Sequence, residues 1–270
     1  MTKILNGLEL VGYIKERQAK QVRNLRQSHG VFPKLVIIST SDNPVIDTYV
    51  RLKKSYGEDI LIETQTIDTT MSEIRQVIDD CNKDDSVHGI IVQLPLANTD
   101  ETDEIINLIS PQKDVDGLGK NAEFDAATPM AINWLLAGYN IDLSDKNVVL
   151  IGRGRLVGAP LERLLQNSGV SVKTIAEPSD DLARELQDAD VIVSATGVPG
   201  LVTSEMVPSN VVVVDAGTAS ENGEIVGDVA NDVRQREDVT ITPLKGGVGP
   251  LTVAALFDNV ITAARNTVSK

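Results

Sequence analysis

The segment 146–169, "KNVVLIGRGRLVGAPLERLLQNSG", decides the fold of the second half of this chain. An apolar run, "VVLI", precedes a glycine-rich turn, and spaced apolar residues typical of an amphipathic helix follow it. Gly152, Gly154 and Gly158 are spaced G-x-G-x-x-x-G, one residue longer than the commonest dinucleotide-binding pattern. Glycines here allow a tight turn, and the helix N-terminus can face a pyrophosphate. The segment predicts a strand, a phosphate-binding turn and a helix, although such turns also occur in α/β folds that bind no nucleotide.

Residues at the ends of the next predicted strands agree with a dinucleotide site. Glu177 ends the strand "VSVKTIAE", near the offset of about 20 residues at which a carboxylate binds the adenosine ribose hydroxyls. That carboxylate would repel a 2′-phosphate, whereas Arg153 or Arg155 could bind one. A solvated charge is the alternative interpretation of Glu177. "SATGVPG" and "VVDAG" place small residues after two further strands, where they leave room for the nicotinamide half.

Predicted helices and strands alternate along the whole chain, which is typical of an α/β protein with mostly parallel sheets. In the first half, "KLVIIST" and "VHGIIVQLPL" suit buried strands and "MSEIRQVIDDCNKD" suits a helix. The complete nucleotide-binding pattern begins after residue 122, and no flexible linker marks the boundary. The sequence therefore predicts two α/β domains, the second of Rossmann type.

Composition and charge exclude several classes of protein. A net charge of −14 over 270 residues argues against nucleic acid and anionic lipid as partners, because both require a basic surface. A single cysteine, Cys81, excludes an intrachain disulfide framework, and with only two histidines no metal site is expected. The sequence shows no signal peptide and no apolar run near the roughly 20 residues that span a bilayer. We therefore expect a soluble, cytoplasmic protein without a membrane partner.

A tyrosine and a lysine share one face of the predicted helix "DTYVRLKKSYGED". Tyr49 and Lys53 are four residues apart, close to one helical turn, whereas Lys54 lies off that face. Taken alone, the segment is more typical of a solvated helix surface. Short-chain dehydrogenases use such a pair, but their glycine turn precedes it, and here the turn follows it by about a hundred residues. The order of the motifs therefore argues against that family.

Other segments match a different family. "GIIVQLPL", "PQKDVDGL", "GRGRLVGAP", "NGEIVGDV" and "GGVGPLTVAAL" stand in this order along the chain. Together they resemble the bifunctional methylenetetrahydrofolate dehydrogenase/cyclohydrolase family, and the resemblance runs from about residue 4 to the C-terminus. It implies a folate-binding catalytic domain of residues 1–122 with the C-terminal helix 251–270, and a Rossmann NAD(P)-binding domain of residues 123–250. It further implies a cleft between the two domains and a homodimer formed through the nucleotide domain.

The resemblance also implies two reactions and their catalytic residues. Members oxidise 5,10-methylenetetrahydrofolate with NADP or NAD and hydrolyse the resulting 5,10-methenyl cation to 10-formyltetrahydrofolate. Lys53 corresponds to the catalytic lysine, and Tyr49 to the tyrosine that packs on the folate. Gln93 corresponds to the glutamine that positions lysine and substrate, and Asp116 to the aspartate that binds the pterin. Lys53 could act as a base if its pKa falls below the ordinary value of about 10.4, or polarise the intermediate if it does not.

Further binding residues follow from the same resemblance. The remaining folate-binding positions are Leu94, Gly249, Pro250 and Thr252. The predicted nucleotide-binding positions are Gly152, Arg153, Gly154, Val157, Gly158, Glu177, Thr196 and Gly197.

The chain departs from the family pattern at several positions. Two changes border the predicted folate pocket: Ile46 replaces a serine and Lys245 replaces a proline. A chain that keeps only the dehydrogenase, and a non-catalytic folate- or nucleotide-binding paralogue, are therefore alternatives. Retention of the catalytic set (Tyr49, Lys53, Gln93, Asp116) argues against the paralogue.

Three other departures lie in the nucleotide half. The chain reads "AATP" at 126–129 where the family reads "PCTP", and Gly154 replaces a serine. Ala176 and Glu177 replace a histidine and its serine or basic neighbour, in a region that helps to hold the 2′-phosphate of NADP. A glutamate opposes that phosphate, so we expect NAD to be preferred over NADP, with Arg153 as the main contrary feature.

Overall fold

The computed structural model describes residues 3–40, 44–178, 181–221 and 224–268. The chain forms two compact units. The Lys53 unit comprises Gly12–Ala127 and Val253–Lys270, and the glycine-turn unit comprises Met1–Val11 and Thr128–Thr252. Residues 1–2 and 269–270, which end the predicted ranges 1–122 and 251–270, lie outside the described residues.

Helices and strands alternate along most of the chain, as the sequence predicts. The first half contains β1 (Lys3–Ile4), α1 (Gly7–His29), β2 (Lys34–Ser39), α2 (Pro44–Asp59), β3 (Glu63–Asp68), α3 (Ile74–Lys83), β4 (Gly89–Val92) and α4 (Thr102–Ile106). The second half contains α5 (Ala127–Gly138), β5 (Val148–Ile151), α6 (Gly158–Asn167), β6 (Val172–Ile175), α7 (Leu182–Leu186), β7 (Val191–Ser194), β8 (Val212–Asp215), β9 (Ala219–Glu221), β10 (Glu224–Val226), α8 (Asn231–Arg234), β11 (Thr240–Ile241) and α9 (Val248–Asn266).

The Lys53 unit is built on a parallel three-stranded sheet of order β3-β2-β4. The central strand β2 is buried almost throughout, which explains its unbroken apolar sequence. Residues of α3 pack with the sheet in one apolar cluster that includes Val36, Ile78 and Ile90. Because parallel strands end at the same edge, the segments after β2 and β4 begin side by side.

Three helices of the Lys53 unit are held together by a buried glutamine. Gln18 on α1 donates a 2.8 Å hydrogen bond to the Ala254 carbonyl on α9 and accepts one of 2.8 Å from the Tyr56 hydroxyl on α2. The Tyr56 ring stacks on Phe257 with centroids 5.3 Å apart. These contacts fix α2, the helix that carries Lys53, against α1 and α9.

The glycine-turn unit is built on a parallel six-stranded sheet of order β1-β11-β8-β7-β5-β6. β5 lies between β6 and β7, so the strand order reverses there, as it does at the ligand-binding edge of a Rossmann sheet. The two-residue strand β1 pairs with β11, with Lys3 opposite Thr240, so the start of the chain completes this sheet. Val149, Ile192 and Val213 belong to one buried apolar cluster of the unit.

Within the described ranges, no helix is long and apolar enough to cross a membrane. The same ranges contain no group of three or more His, Cys, Asp or Glu side chains arranged to hold a metal ion. Cys81 is a buried thiol on α3.

Candidate active site and nucleotide site

Lys53 is held by a glutamine at the end of the neighbouring strand. Its ammonium nitrogen donates a 2.8 Å hydrogen bond to Gln93 Oε1. Gln93 directly follows β4, and its backbone N–H donates to the Ile38 carbonyl at 2.8 Å. Its side-chain amide nitrogen donates to the Leu94 carbonyl at 3.2 Å, which leaves Oε1 directed at the lysine. Two residues that sequence analysis assigned to one site are therefore in direct contact.

Lys53 and Asp116 influence each other electrostatically. Burial lowers the pKa of Lys53 from its ordinary value, and the Asp116 carboxylate partly opposes this by raising it. Burial also raises the pKa of Asp116, and the Lys53 ammonium opposes that shift. Desolvation thus disfavours the charged form of both groups, so Lys53 gives up its proton more readily than a free lysine.

The loop that carries Asp116 is fixed by two residues that sequence analysis did not single out. The buried Asp114 carboxylate accepts hydrogen bonds from the backbone N–H of Gly117 at 3.1 Å and of Gly119 at 2.8 Å. The buried Asn259 side chain on α9 donates to the Val115 carbonyl at 2.9 Å. The first aspartate of "KDVDG" therefore shapes the loop, and the second is the one coupled to Lys53. The motif contained both residues but did not separate their roles.

Tyr49 lies one helical turn before Lys53 on α2. Its side chain is half-buried, and burial raises the pKa of the phenol, so the hydroxyl remains protonated at neutral pH. Ile46 on the same helix is buried, which suits an apolar side chain at this position. Lys54 instead lines a surface cavity of about 600 Å³ together with Arg51 and other polar residues. The two adjacent lysines thus have different surroundings.

The glycine turn has the predicted form of strand, turn and helix. Gly152 has φ +90°, and a Cβ there would lie 2.6 Å from the Ala195 carbonyl oxygen. A Cβ on Gly158 would overlap the Gly152 carbonyl, whereas a Cβ on Gly154 would meet no atom of the described residues within 4 Å, its chain neighbours aside. Val157 precedes α6 without a side-chain cap on the helix N-terminus. The turn therefore offers open space at Gly154 and close backbone approach at Gly152 and Gly158, an arrangement that fits the pyrophosphate of a dinucleotide.

Arg153 and Glu177 lie at the same edge of the sheet. The strands β5 and β6 pair with Ile151 opposite Ile175. Arg153 comes two residues after Ile151, and Glu177 comes two residues after Ile175. Glu177 is exposed. Arg153 Nε donates a 2.7 Å hydrogen bond to Glu162 Oε2 on α6, and this bond lowers the pKa of Glu162. Sequence analysis did not identify Glu162, because its only sequence signal is one charge on a helix.

A buried aspartate holds the segment that contains Thr196 and Gly197. Asp228 Oδ2 accepts hydrogen bonds from Ser194 Oγ at 2.7 Å, from the Thr196 backbone N–H at 2.7 Å and from Thr196 Oγ1 at 2.9 Å. Gly197 has φ +73°, and among the described residues, its chain neighbours aside, the Thr218 carbonyl oxygen alone lies within 4 Å of its Cβ position, at 3.8 Å. Asp228 is the aspartate of the segment "NGEIVGDV", which sequence analysis quoted without assigning this residue. It holds Thr196, a predicted nucleotide-site residue, directly.

Three predicted folate-binding residues lie at the start of α9 and belong to the glycine-turn unit. Gly249 is exposed and Pro250 is half-buried. Thr252 Oγ1 donates to the Val248 carbonyl at 3.3 Å within the helix. Tyr49, Lys53, Gln93, Leu94 and Asp116 all belong to the Lys53 unit.

Two family models match the chain. One is described as "Tetrahydrofolate dehydrogenase/cyclohydrolase, catalytic domain" and covers residues 5–116. The other is described as "Tetrahydrofolate dehydrogenase/cyclohydrolase, NAD(P)-binding domain" and covers residues 126–268. The bifunctional protein FolD of Staphylococcus aureus strain Newman is 38% identical over 283 residues, covering 98% of this chain and 97% of the relative.

Solved structures agree with this similarity. The bifunctional enzyme FolD from Campylobacter jejuni has a TM-score of 0.92 at 37% identity, covering 99% of this chain and 100% of that one. The Trypanosoma brucei methylenetetrahydrofolate dehydrogenase-cyclohydrolase, complexed with NADP and an inhibitor, has a TM-score of 0.92 at 29% identity. It covers 100% of this chain and 99% of its own.

Proposed function

Because this chain belongs to the tetrahydrofolate dehydrogenase/cyclohydrolase family, we propose that Lys53 is the base of its hydrolytic reaction. The chain is a bifunctional enzyme of one-carbon metabolism. It oxidises 5,10-methylenetetrahydrofolate to the 5,10-methenyl cation with NAD(P) and hydrolyses that cation to 10-formyltetrahydrofolate. The observation that carries the proposal is the 2.8 Å hydrogen bond between Lys53 and Gln93, at a position where burial lowers the pKa of the lysine.

Hydrolysis requires a water molecule to attack the methenyl carbon and to lose a proton. The neutral amine of Lys53 accepts this proton as the C–O bond forms. The bond between the same carbon and N5 of the folate then breaks, N5 takes up the hydroxyl proton, and the reaction as a whole releases one proton to solvent. The Gln93 hydrogen bond holds the amine in place, and Asp116 binds the pterin ring through its carboxylate. Tyr49 packs on the folate, and Leu94, Gly249, Pro250 and Thr252 supply further folate contacts.

Oxidation requires no acid or base from the protein. When bound, the nicotinamide accepts a hydride from the methylene carbon of the folate. The contribution of this chain is to bind and orient both molecules. Gly152, Gly154, Val157 and Gly158 receive the pyrophosphate at the start of α6, and Thr196 with Gly197 borders the nicotinamide half.

The cyclohydrolase rate should increase with pH as Lys53 loses its proton. Burial lowers the pKa of Lys53, so the midpoint should lie below the ordinary lysine value of about 10.4. The Asp116 carboxylate raises that pKa, so Asp116→Asn should lower it further and move the rising limb to lower pH. The measurement is kcat for the decay of methenyl-folate absorbance against pH, corrected for the non-enzymatic rate. A rate that falls through this range would show that the charged lysine is the active form and would refute the base role.

We also propose that the enzyme prefers NAD to NADP. Glu177 accepts hydrogen bonds from the adenosine ribose hydroxyls, and its carboxylate repels a 2′-phosphate. Initial dehydrogenase rates at equal, subsaturating nucleotide concentrations should be about tenfold higher with NAD, and Glu177→Gln should narrow the difference. Faster turnover with NADP would contradict the role assigned to Glu177.

The assembly and location of the enzyme are further proposals. The family resemblance supports a homodimer formed through the nucleotide domain, and the single cysteine supports a cytoplasmic location. Sedimentation equilibrium tests the assembly, since a mass twice that of one chain supports the dimer and the mass of one chain refutes it.

A further inference from the structure

Arg153 is the feature of the nucleotide site that opposes a preference for NAD. In dinucleotide-binding sheets, an arginine near the end of the second strand accommodates the 2′-phosphate of NADP. Arg153 stands in the glycine turn, at the same sheet edge as Glu177. With a free guanidinium there, the repulsion from Glu177 would be offset by attraction to Arg153.

The guanidinium of Arg153 is already bound to a carboxylate of its own domain. Its Nε lies 2.7 Å from Glu162 Oε2. The Glu162 side chain is only 17% exposed, whereas that of Arg153 is 59% exposed. Glu162 is therefore the more buried partner, and it holds the more exposed arginine against α6.

We propose that Glu162 is a specificity-determining residue that excludes 2′-phosphorylated nucleotides by holding Arg153. The inference rests on the proposed nucleotide site and extends it to a residue that does not itself touch the nucleotide. A 2′-phosphate could recruit Arg153 only by breaking the ion pair, which would leave a largely buried carboxylate without its partner. A ribose 2′-hydroxyl can bind without breaking the ion pair between Arg153 and Glu162. Glu177 acts by direct repulsion, and Glu162 acts through the arginine.

Release of Arg153 and a simple loss of negative charge have different expected effects on nucleotide binding. Removing the Glu162 charge should favour a 2′-phosphate only while Arg153 is present. Conversely, replacing Arg153 in the native protein should weaken the binding of a 2′-phosphorylated nucleotide only slightly, since the arginine is already paired with Glu162. Arg155 lies in the same turn and could also bind a 2′-phosphate. Because Arg155 is unchanged in every variant, an effect that disappears with Arg153→Gln belongs to Arg153.

The test is calorimetric binding of two probes, adenosine 2′,5′-bisphosphate and adenosine 5′-monophosphate. The proteins are the native chain, Glu162→Gln, Arg153→Gln and the double variant. Glu162→Gln should tighten binding of the bisphosphate by about fivefold and leave the monophosphate unchanged. The double variant should return to the native affinity. The matched control is Glu185→Gln, which removes the carboxylate that pairs with Lys173 at 3.1 Å in the same unit and should change neither affinity.

Two results would overturn the inference. One is bisphosphate affinity that does not change in Glu162→Gln, with a thermal unfolding midpoint that matches the native protein. The other is an equal gain when Arg153 is absent, because that would be a simple loss of negative charge. If Glu162→Gln does not fold, Arg153→Gln alone decides: weaker bisphosphate binding refutes the inference, and unchanged binding supports it.

The proposed function fails in a different way. A native enzyme that turns over NADP faster than NAD would refute the role of Glu177, while the dependence of Glu162 on Arg153 would still be measurable with the two probes. A native chain that binds neither probe would refute the nucleotide site itself, and the inference would fall with it.

Discussion

Replacing Lys53 with methionine should almost abolish hydrolysis of the 5,10-methenyl cation and leave hydride transfer measurable. Loss of a general base typically costs about 10²- to 10⁴-fold in rate, and we expect a decrease in this range. Methionine keeps most of the side-chain volume but cannot accept a proton or donate to Gln93. Hydride transfer needs no base, so the variant should accumulate methenyl-folate when NAD is present. Absorbance measures both steps: decay without nucleotide reports hydrolysis, and accumulation with nucleotide reports oxidation.

Lys54→Met is the matched control for this experiment. It makes the same chemical change one residue later, on a side chain that lines a separate surface cavity. We expect this variant to hydrolyse the cation at close to the native rate. Hydrolysis by Lys53→Met at the native rate would remove Lys53 from the mechanism.

Replacing Asp228 with alanine should cause the largest loss of stability among the changes considered. Asp228 Oδ2 accepts three hydrogen bonds from Ser194 and Thr196 in a fully buried position. A buried donor left without an acceptor costs about 1–3 kcal/mol, so the free energy of unfolding should fall by about 3 kcal/mol or more. Because Thr196, which precedes Gly197, would lose its support, NAD should also bind more weakly. Denaturant unfolding and calorimetric titration with NAD measure the two effects.

Asp188→Ala in the same unit is the control for the Asp228 variant. Asp188 is exposed, and surface substitutions usually change the free energy of unfolding by less than about 0.5 kcal/mol. Should Asp228→Ala lose no more stability than this control and bind NAD equally well, Asp228 would have no positioning role. Asp228→Asn keeps one acceptor oxygen, so we expect its loss of unfolding free energy to lie between those of Asp188→Ala and Asp228→Ala.

Local sequence patterns were sufficient for the main elements of both units. The apolar run, the glycines and the helical periodicity of 146–169 predicted β5, the turn and α6, because each depends only on neighbouring residues. The four-residue spacing of Tyr49 and Lys53 placed them on one helix face for the same reason. The resemblance to a known family then supplied the catalytic roles that we propose for them.

Contacts between distant residues required the tertiary structure. Lys53 and Gln93 are 40 residues apart, Thr196 and Asp228 are 32 apart, and Val115 and Asn259 are 144 apart. Their hydrogen bonds depend on which strands are neighbours and on where each loop begins. Sequence analysis therefore left Asp114, Asp228 and Asn259 without roles.

The amino-acid sequence by itself determined the α/β class and the strand, glycine turn and helix of 146–169, since periodicity and glycine spacing are local properties. The family resemblance, and not these local patterns, supplied the hypothesis that Lys53 is the reactive lysine. Only the tertiary structure decided the pKa direction of Lys53, the capture of Arg153 by Glu162 and the joining of β1 to β11. The physical reason is that desolvation and charge pairing are set by the atoms that packing brings around a group. Those atoms come from distant parts of the chain.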